Sequence, residues 1–358
     1  MRIAYVAHVN YSRGSGVVKK ILSQASLWQE LGAKVSVFWF TRNSELRAGA
    51  APGEQVFLYK GGPFSKNRLL ALDRLVNEVF QWQADLVYLR RDMVYPAYMQ
   101  LAGRLPVVVE VNSNELAELW LYSKLQSTYH FLTRSFLDRK VKGFVFPTYE
   151  LLRTPYYARL RAQKEVIGNG IDLSRLPHLE PTKNEKPVLA FIGHPAPWHG
   201  IDKILKMAKA FPDWSFHLIG VGEVASALPN VTTHKFLSAS EYLPILAQAD
   251  VGIGTLALHR NKMSEASPLK VREYLGLGLP VIIGYEDTDF PGGAPFILQL
   301  PNTEDNVESS LLQIREFVEK WRGKRVPRDE VAHIDQRVKE IKRLEFFEGV
   351  LMQRGKGK

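Results

Sequence analysis

The sequence predicts an α/β protein built from two doubly wound, Rossmann-like halves. Two observations carry this. At 358 residues the chain is too long for one typical core and suits two domains. A β-loop-α-β opening also occurs twice, over 2–40 and again over 187–219, so the halves are similar. The apolar fraction of 46% is normal and supports a sizeable core.

The first half opens on the apolar run Arg2–His8, as expected of a strand buried on both faces. The turn 10–16 is small and polar, and Gly14 and Gly16 let backbone approach a ligand closely or serve only the turn. A helix with Val17, Ile21, Ala25, Trp28 and Leu31 on one side follows, and then a strand over 34–40. No third glycine and no acidic strand end follow, so this is a poor dinucleotide fingerprint. A short strand is expected over 56–59, a helix around 69–80, a strand over 85–89, a helix over 95–103 and a strand over 106–111. Ligands of open α/β sheets sit beyond strand carboxyl ends, which makes Asn112, Asn114 and Glu115 acceptor-site candidates. A basic, aromatic helical region and a short strand over 144–148 complete this half.

Residues 173–186 carry Pro177, Pro181, Thr182 and Asn184 and read as a linker. The second half has strands over 187–192, 214–219, 231–237 and 251–255, with helices to about 210 and 249. Residues 220–225 match G-x-G-x-x-A but do not sit on the first strand of their domain, so a dinucleotide site is not expected. Asp287-Thr288-Asp289 spells D-x-D. It reads as a solvent loop, and no metal is expected. The tail from Val307 is largely helical.

There is no cysteine, which excludes disulfides, Cys-ligated zinc and thiol catalysis and fits a reducing compartment. The N-terminus begins directly as a strand with no leader pattern, and no stretch reaches the roughly 18 apolar residues of a spanning helix. A cytoplasmic protein is expected, peripheral at the inner membrane face. The net charge of +10 is concentrated: residues 119–164 carry nine Lys or Arg against Asp138 and Glu150, a net of +7. The same segment holds Trp120, Tyr122, Tyr129, Phe131, Phe136, Tyr156 and Tyr157. Basic plus aromatic suits an anionic membrane, nucleic acid or an anionic acceptor, or a plain solvated helix face. A dedicated nucleic-acid binder is disfavoured, because the charge sits on one domain and no RRM, KH or zinc pattern appears.

The chain is organised around residues 264–285, SEASPLKVREYLGLGLPVIIGY. Ser267 suits an N-cap and Pro268 the first helical position. Gly276 and Gly278 are expected to stop the helix, and Pro280 opens an apolar strand. Glu265 and Glu273 bracket the helix start, with seven residues between them. A helix N-terminus offers free N–H groups and positive dipole to a phosphate, and Lys270 fits such a bound anion. An ordinary βα unit with surface charges has the same pattern.

Glu265-x7-Glu273 followed by Gly278-Leu279-Pro280-Val281-Ile282 resembles the signature of the retaining GT-B glycosyltransferases of family 4. Gly168-Asn169-Gly170-Ile171-Asp172 and Ala249-Asp250-Val251-Gly252 also match that family's pattern. The resemblance implies two Rossmann-like domains facing across a cleft: an acceptor domain at 1–172, a nucleotide-sugar domain at 187–330 after the linker 173–186, and a tail, 331–358, crossing back. It implies that Glu273 holds a ribose and Glu265 contacts the transferred sugar. The backbone of Ala266, Ser267, Pro268 and Leu269, with Gly14, Gly16, Gly193 and Gly222, would approach the donor. The family places Arg and Lys five apart in the first loop of the second domain; this chain has His194 and His199 there. With Lys270 they are the candidates to neutralise a diphosphate. The expected reaction is metal-independent hexosyl transfer, without cofactor, from a nucleotide sugar to a carbohydrate or lipid-linked acceptor. Rival readings are a sugar-nucleotide epimerase or phosphorylase, and a non-catalytic sugar-nucleotide-binding protein.

Overall fold

Arg2–His8 buries its five middle residues and forms β1, an interior strand of the first sheet. The computed structural model describes residues 1–222 and 228–355. Two compact units emerge, one of residues 1–167 with 339–358 and one of residues 168–338. Residues 173–186 belong to the second unit.

After β1 the first unit runs α1 (Gly16–Glu30), β2 (Lys34–Thr41), α2 (Glu45–Ala48), β3 (Glu54–Leu58), α3 (Lys66–Gln81) and β4 (Leu86–Arg90). It continues with α4 (Pro96–Arg104), β5 (Val107–Glu110), α5 (Glu115–Tyr122), α6 (Lys124–Asp138), β6 (Gly143–Phe146), α7 (Tyr149–Arg153), α8 (Pro155–Ala158) and β7 (Gln163–Val166). Its seven strands are parallel in the order β3-β2-β1-β4-β5-β6-β7. The order reverses between β1 and β4, and ligands of such sheets sit beyond the strand ends at that point. Short polar residues start the helices: Ser15, Ser65, Asn114, Ser123 and Thr148 each accept a hydrogen bond from a first-turn N–H.

The second unit runs β8 (Val188–Ile192), α9 (Ile201–Ala210), β9 (Ser215–Ile219), β10 (Val231–His234), α10 (Ala239–Gln248), β11 (Val251–Ile253) and β12 (Glu265–Ala266). Then come α11 (Leu269–Leu277), β13 (Val281–Ile283), β14 (Glu286–Asp287), β15 (Ile297–Gln299) and α12 (Leu311–Trp321). Its main sheet is parallel in the order β10-β9-β8-β11-β13-β15, with the reversal between β8 and β11. The G-x-G-x-x-A match at 220–225 lies partly outside the described residues.

The last helix, α13 (Gln336–Gly355), joins the first unit from Lys339 onward. Phe347 meets Trp28 edge-on at 5.5 Å, and Glu340 accepts from Trp28 Nε1 at 2.8 Å and from Gln24 Nε2 at 2.9 Å. The carboxylate also accepts from Arg343 Nε of the same helix at 2.8 Å, and Arg343 Nη1 donates to Tyr88 Oη at 2.9 Å, so a buried ion pair within the tail bonds outward to the first core.

Three local expectations change. Helix α11 begins at Leu269, so Pro268 is its N-cap and Ser267 lies outside it. Gly276 is buried within the helix, and Gly278 alone ends it, in the left-handed conformation at φ 89°. The D-x-D segment is no solvent loop. Arg272, fully buried, donates to Asp287 Oδ2 at 2.8 Å and Oδ1 at 2.6 Å and to Asp289 Oδ2 at 2.8 Å.

Candidate active site

In the second unit, Gly193 and His194 follow β8 at the sheet's reversal point, and a tight turn brings His199 back beneath them. His199 Nδ1 lies 2.6 Å from the His194 carbonyl. A carbonyl only accepts, so Nδ1 carries the proton and Nε2 keeps its lone pair. Burial and then the Lys270 charge push His199 down to about 3. The same two causes lower His194. In the ligand-free chain both shifts favour the neutral imidazole over the cation.

Lys270 is the cation at this place. Its ammonium lies 4.1 Å from the Phe191 ring centre and has no hydrogen-bond partner. Its stem reaches solvent while Nζ is buried, and this burial pushes its pKa down to about 7. A Cβ on Gly193 would come within 2.6 Å of Nζ, so a side chain there would displace the ammonium. Lys270 is the second residue of α11, whose N-terminus has no side-chain cap. The Leu269 and Lys270 N–H groups lie in the first turn, where a helix offers them no acceptor of its own. Pro268 has no N–H and contributes none.

The approach to α11 is held from inside. Ser267 Oγ accepts from Asn169 N at 2.8 Å and from Arg272 Nη2 at 2.9 Å. Arg272 Nε donates to the Asn169 carbonyl at 3.1 Å. Asn169 and the two aspartates therefore fix the loop that carries Glu265, 7% exposed in β12, and Ala266. Glu273 lies one turn beyond Lys270 and accepts from Tyr242 Oη at 2.6 Å. Gly222 N donates to the His234 carbonyl at 3.3 Å; neighbouring Gly220 packs against the Gly193 carbonyl.

In the first unit a cavity of about 390 Å³ opens beyond the carboxyl ends of β1, β4 and β5. Tyr11, Arg90, Asp92, Asn112, Glu115 and Glu118 are among its lining residues. Asn112 Oδ1 accepts from Arg90 Nη1 at 2.6 Å. Glu115 lines the cavity but is already engaged: Tyr157 Oη donates at 2.6 Å, and Arg91 Nε lies at 3.3 Å. Burial alone would raise its pKa, but Arg91, His130 and Tyr157 outweigh this and hold it at about 2. Glu118 is pushed upward by burial, against a Ser113 hydrogen bond that lowers it and with a smaller push from the Glu115 charge. Asn114 is not a lining residue; its side chain caps α5 by accepting from Ala117 N at 3.2 Å. Gly14 has open space around its Cα, Gly16 is the first residue of α1, and neither adopts positive φ.

No protein-family model matches the chain, and no curated protein does. Solved structures do. The lipopolysaccharide outer core galactosyltransferase WaaB, in its apo form, superposes with TM-score 0.67 at 10% identity, over 99% of this chain and 100% of that one. Anabaena HepE, in complex with UDP and glucose, gives TM-score 0.67 at 15% identity, over 98% and 99%. An α-glucosyltransferase in complex with UDP and DNA gives 0.64 at 12%, over 98% and 99%. The fold is GT-B. At these identities the likeness establishes architecture alone.

Within this GT-B chain the fold gathers Gly193, His194, His199 and Lys270 at one point and sets Glu265 and Glu273 on either side of the α11 start. Sequence reasoning did not find Tyr242, Arg272, Glu118 or the Arg91–Glu115 pair. Tyr242 had no local signal. Arg272 had one, since an arginine on the buried face of an apolar helix demands a carboxylate partner.

Proposed function

We propose that the protein is a glycosyltransferase that binds a nucleoside diphosphate sugar in the second unit and transfers the sugar to an acceptor held by the first. The observation that carries this is Lys270, an unpartnered buried ammonium at the uncapped N-terminus of α11. An unpaired buried cation is costly, and a diphosphate would complete it. UDP in HepE supports a uridine donor.

In this reading the Leu269 and Lys270 amides and the Lys270 ammonium stabilise the departing diphosphate, which is the electrostatic share of catalysis. Neutral His194 donates a hydrogen bond rather than a charge, and His199, whose N–H is held by the His194 carbonyl, fixes that loop. Glu273 takes the ribose hydroxyls and Glu265 the transferred sugar. Transfer proceeds with retention, as the motif resemblance suggests. Asp287 and Asp289 hold Arg272, which supports metal independence. The acceptor, taken in the cavity beside Asn112 and Glu118, is a lipid-linked or cell-surface polysaccharide intermediate; the lipopolysaccharide substrate named for WaaB supports this class.

The test is transfer of radiolabelled sugar from a panel of nucleoside diphosphate sugars to lipid-linked acceptors. Label moving into the acceptor supports the proposal. A second reading, a sugar-nucleotide-binding protein without turnover, is favoured by the two neutral histidines where cations were expected. Tight donor binding with no transfer to any acceptor would select it.

A further inference from the structure

Helix α6 is inside out. A surface helix of a globular domain turns its apolar stripe toward the core. The buried positions of α6 are Ser127, His130, Arg134, Leu137 and Asp138, four of them polar. Its exposed positions include Leu125 at 72%, Leu132 at 63%, Phe131 at 60% and Phe136 at 59%. The inward face is fixed by charge pairs and hydrogen bonds, so the reversal is built in. Asp138 Oδ2 accepts from Arg91 Nη2 at 2.8 Å and from Tyr156 Oη at 2.7 Å. His130 Nε2 lies 3.5 Å from Glu115, and the Arg134 guanidinium stacks 3.6 Å from the Tyr156 ring centre.

Helix α5 continues this face. It buries no residue, and Trp120, Leu121 and Tyr122 are all exposed, Tyr122 at 79%. Ser127 Oγ donates to the Leu116 carbonyl at 3.1 Å and ties the two helices together. The charge around the patch has one sign. Every exposed charged side chain between 119 and 164 is basic, among them Lys124, Arg139, Lys140, Lys142 and Arg161. Of the two acids there, Asp138 is buried against Arg91 and Glu150 is half-buried.

We propose that the outward faces of α5 and α6 dock on an anionic lipid bilayer. Leu125, Phe131, Leu132 and Phe136 enter the acyl boundary, while Arg139, Lys140 and Lys142 meet headgroup phosphates. Lys124, whose ammonium lies 5.5 Å from the Trp120 ring centre, reaches from the apolar face to the same headgroup level. Nucleic acid explains the charge but not the aliphatic side chains: Leu121, Leu125 and Leu132 offer a phosphate backbone nothing. Glu115, Glu118, Leu119 and Tyr122 of α5 also line the first-unit cavity, so the docking helix is a wall of that cavity. If that cavity holds the acceptor, as proposed above, a lipid-linked acceptor would reach it without leaving the bilayer.

The test is co-sedimentation of the full chain with vesicles of phosphatidylcholine alone or mixed with phosphatidylglycerol, at low and high salt. Binding should require phosphatidylglycerol and fall with salt. Joint Phe131→Ser and Leu132→Ser should lower partition at least tenfold. Joint Arg139→Glu, Lys140→Glu and Lys142→Glu should lower it by at least about a hundredfold, at about fivefold for each of the three basic charges removed. All five side chains are exposed, so UDP affinity should stay unchanged in both variants and melting temperature in the charge variant; Phe131→Ser also gives up a contact at 5.8 Å with the Arg134 guanidinium. Equal binding to both vesicle types, or vesicle binding untouched by either variant, overturns the proposal. So does retention of DNA, lost only in the charge variant, with no vesicle binding. Vesicle binding as expected with no sugar transfer would leave the docking surface standing and remove the enzymatic reading.

Discussion

Lys270 and Phe191 form a cation–π pair at 4.1 Å, and the ring is the ammonium's sole polar compensation among the described residues. The folded pKa of about 7 lies below the unfolded value near 10.4. The unfolded chain therefore binds more protons between those values, and stability should rise with pH across that window. Below pH 7 both states are protonated and the full cost of the buried charge remains. Lys270→Met should accordingly stabilise the chain at pH 6, by about 1–2 kcal/mol after allowance for the solvated stem. Chemical denaturation at pH 6 and 9 measures this; equal stability of wild type and variant at pH 6 contradicts it.

Glu273 and Tyr242 give a second prediction. Glu273→Gln should weaken nucleoside diphosphate binding by about 1–3 kcal/mol, since a charge-assisted hydrogen bond is lost. Tyr242→Phe should have a smaller effect in the same direction, by releasing the Glu273 carboxylate from its partner. Calorimetric affinities for UDP, GDP and ADP check both. Glu265→Gln should lower turnover and leave those affinities alone.

Arg272 holds two carboxylates inside the second unit. Arg272→Met should destabilise by about 3–5 kcal/mol, because Asp287 is left charged and buried. Asp287→Asn should cost less. The same pairing predicts that a chelator leaves transfer unchanged. Loss of activity in chelator, restored by a divalent cation, would contradict the assignment of these aspartates.

In the first unit, Asn112→Ala and Glu118→Gln should raise the acceptor KM and leave UDP affinity unchanged, as both line the cavity. Glu115→Gln should behave differently. It removes the carboxylate that Arg91, His130 and Tyr157 share, so it should lower thermal stability as well.

The architecture was legible because buried parallel strands are apolar runs: 2–8, 187–192 and 281–283 stand out without context. β7 was missed because its sequence, Gln163-Lys164-Glu165-Val166, is polar at a half-buried sheet edge. The α11 region was legible through its spacing and its glycines and prolines, which act locally. What was not legible depends on partners far apart in the chain. Arg272 finds Asp287 fifteen residues on, Tyr242 finds Glu273 after thirty-one, and Glu115 finds Tyr157 after forty-two. The protonation of the histidines was not legible for a related reason: composition gives their type, but burial and the Lys270 charge lower their pKa in the ligand-free chain. Likewise the 119–164 segment announced its aromatics and charges, but only the fold turns Tyr129, Tyr156 and Tyr157 partly inward and leaves Phe131 and Phe136 outside.

The central claim is that the Lys270 pocket binds a diphosphate. A bound anion raises the ammonium pKa, so above pH 7 binding must take up a proton and weaken as pH climbs toward the pKa of the complex. Calorimetric titration of UDP into the full chain at pH 6 and 8.5, in buffers of different ionisation enthalpy, measures this most directly. The predicted result is tighter binding at pH 6, close to one proton taken up at pH 8.5, and no uptake in Lys270→Met. No binding of any nucleoside diphosphate, or binding whose affinity and proton uptake are the same in wild type and Lys270→Met, would contradict it.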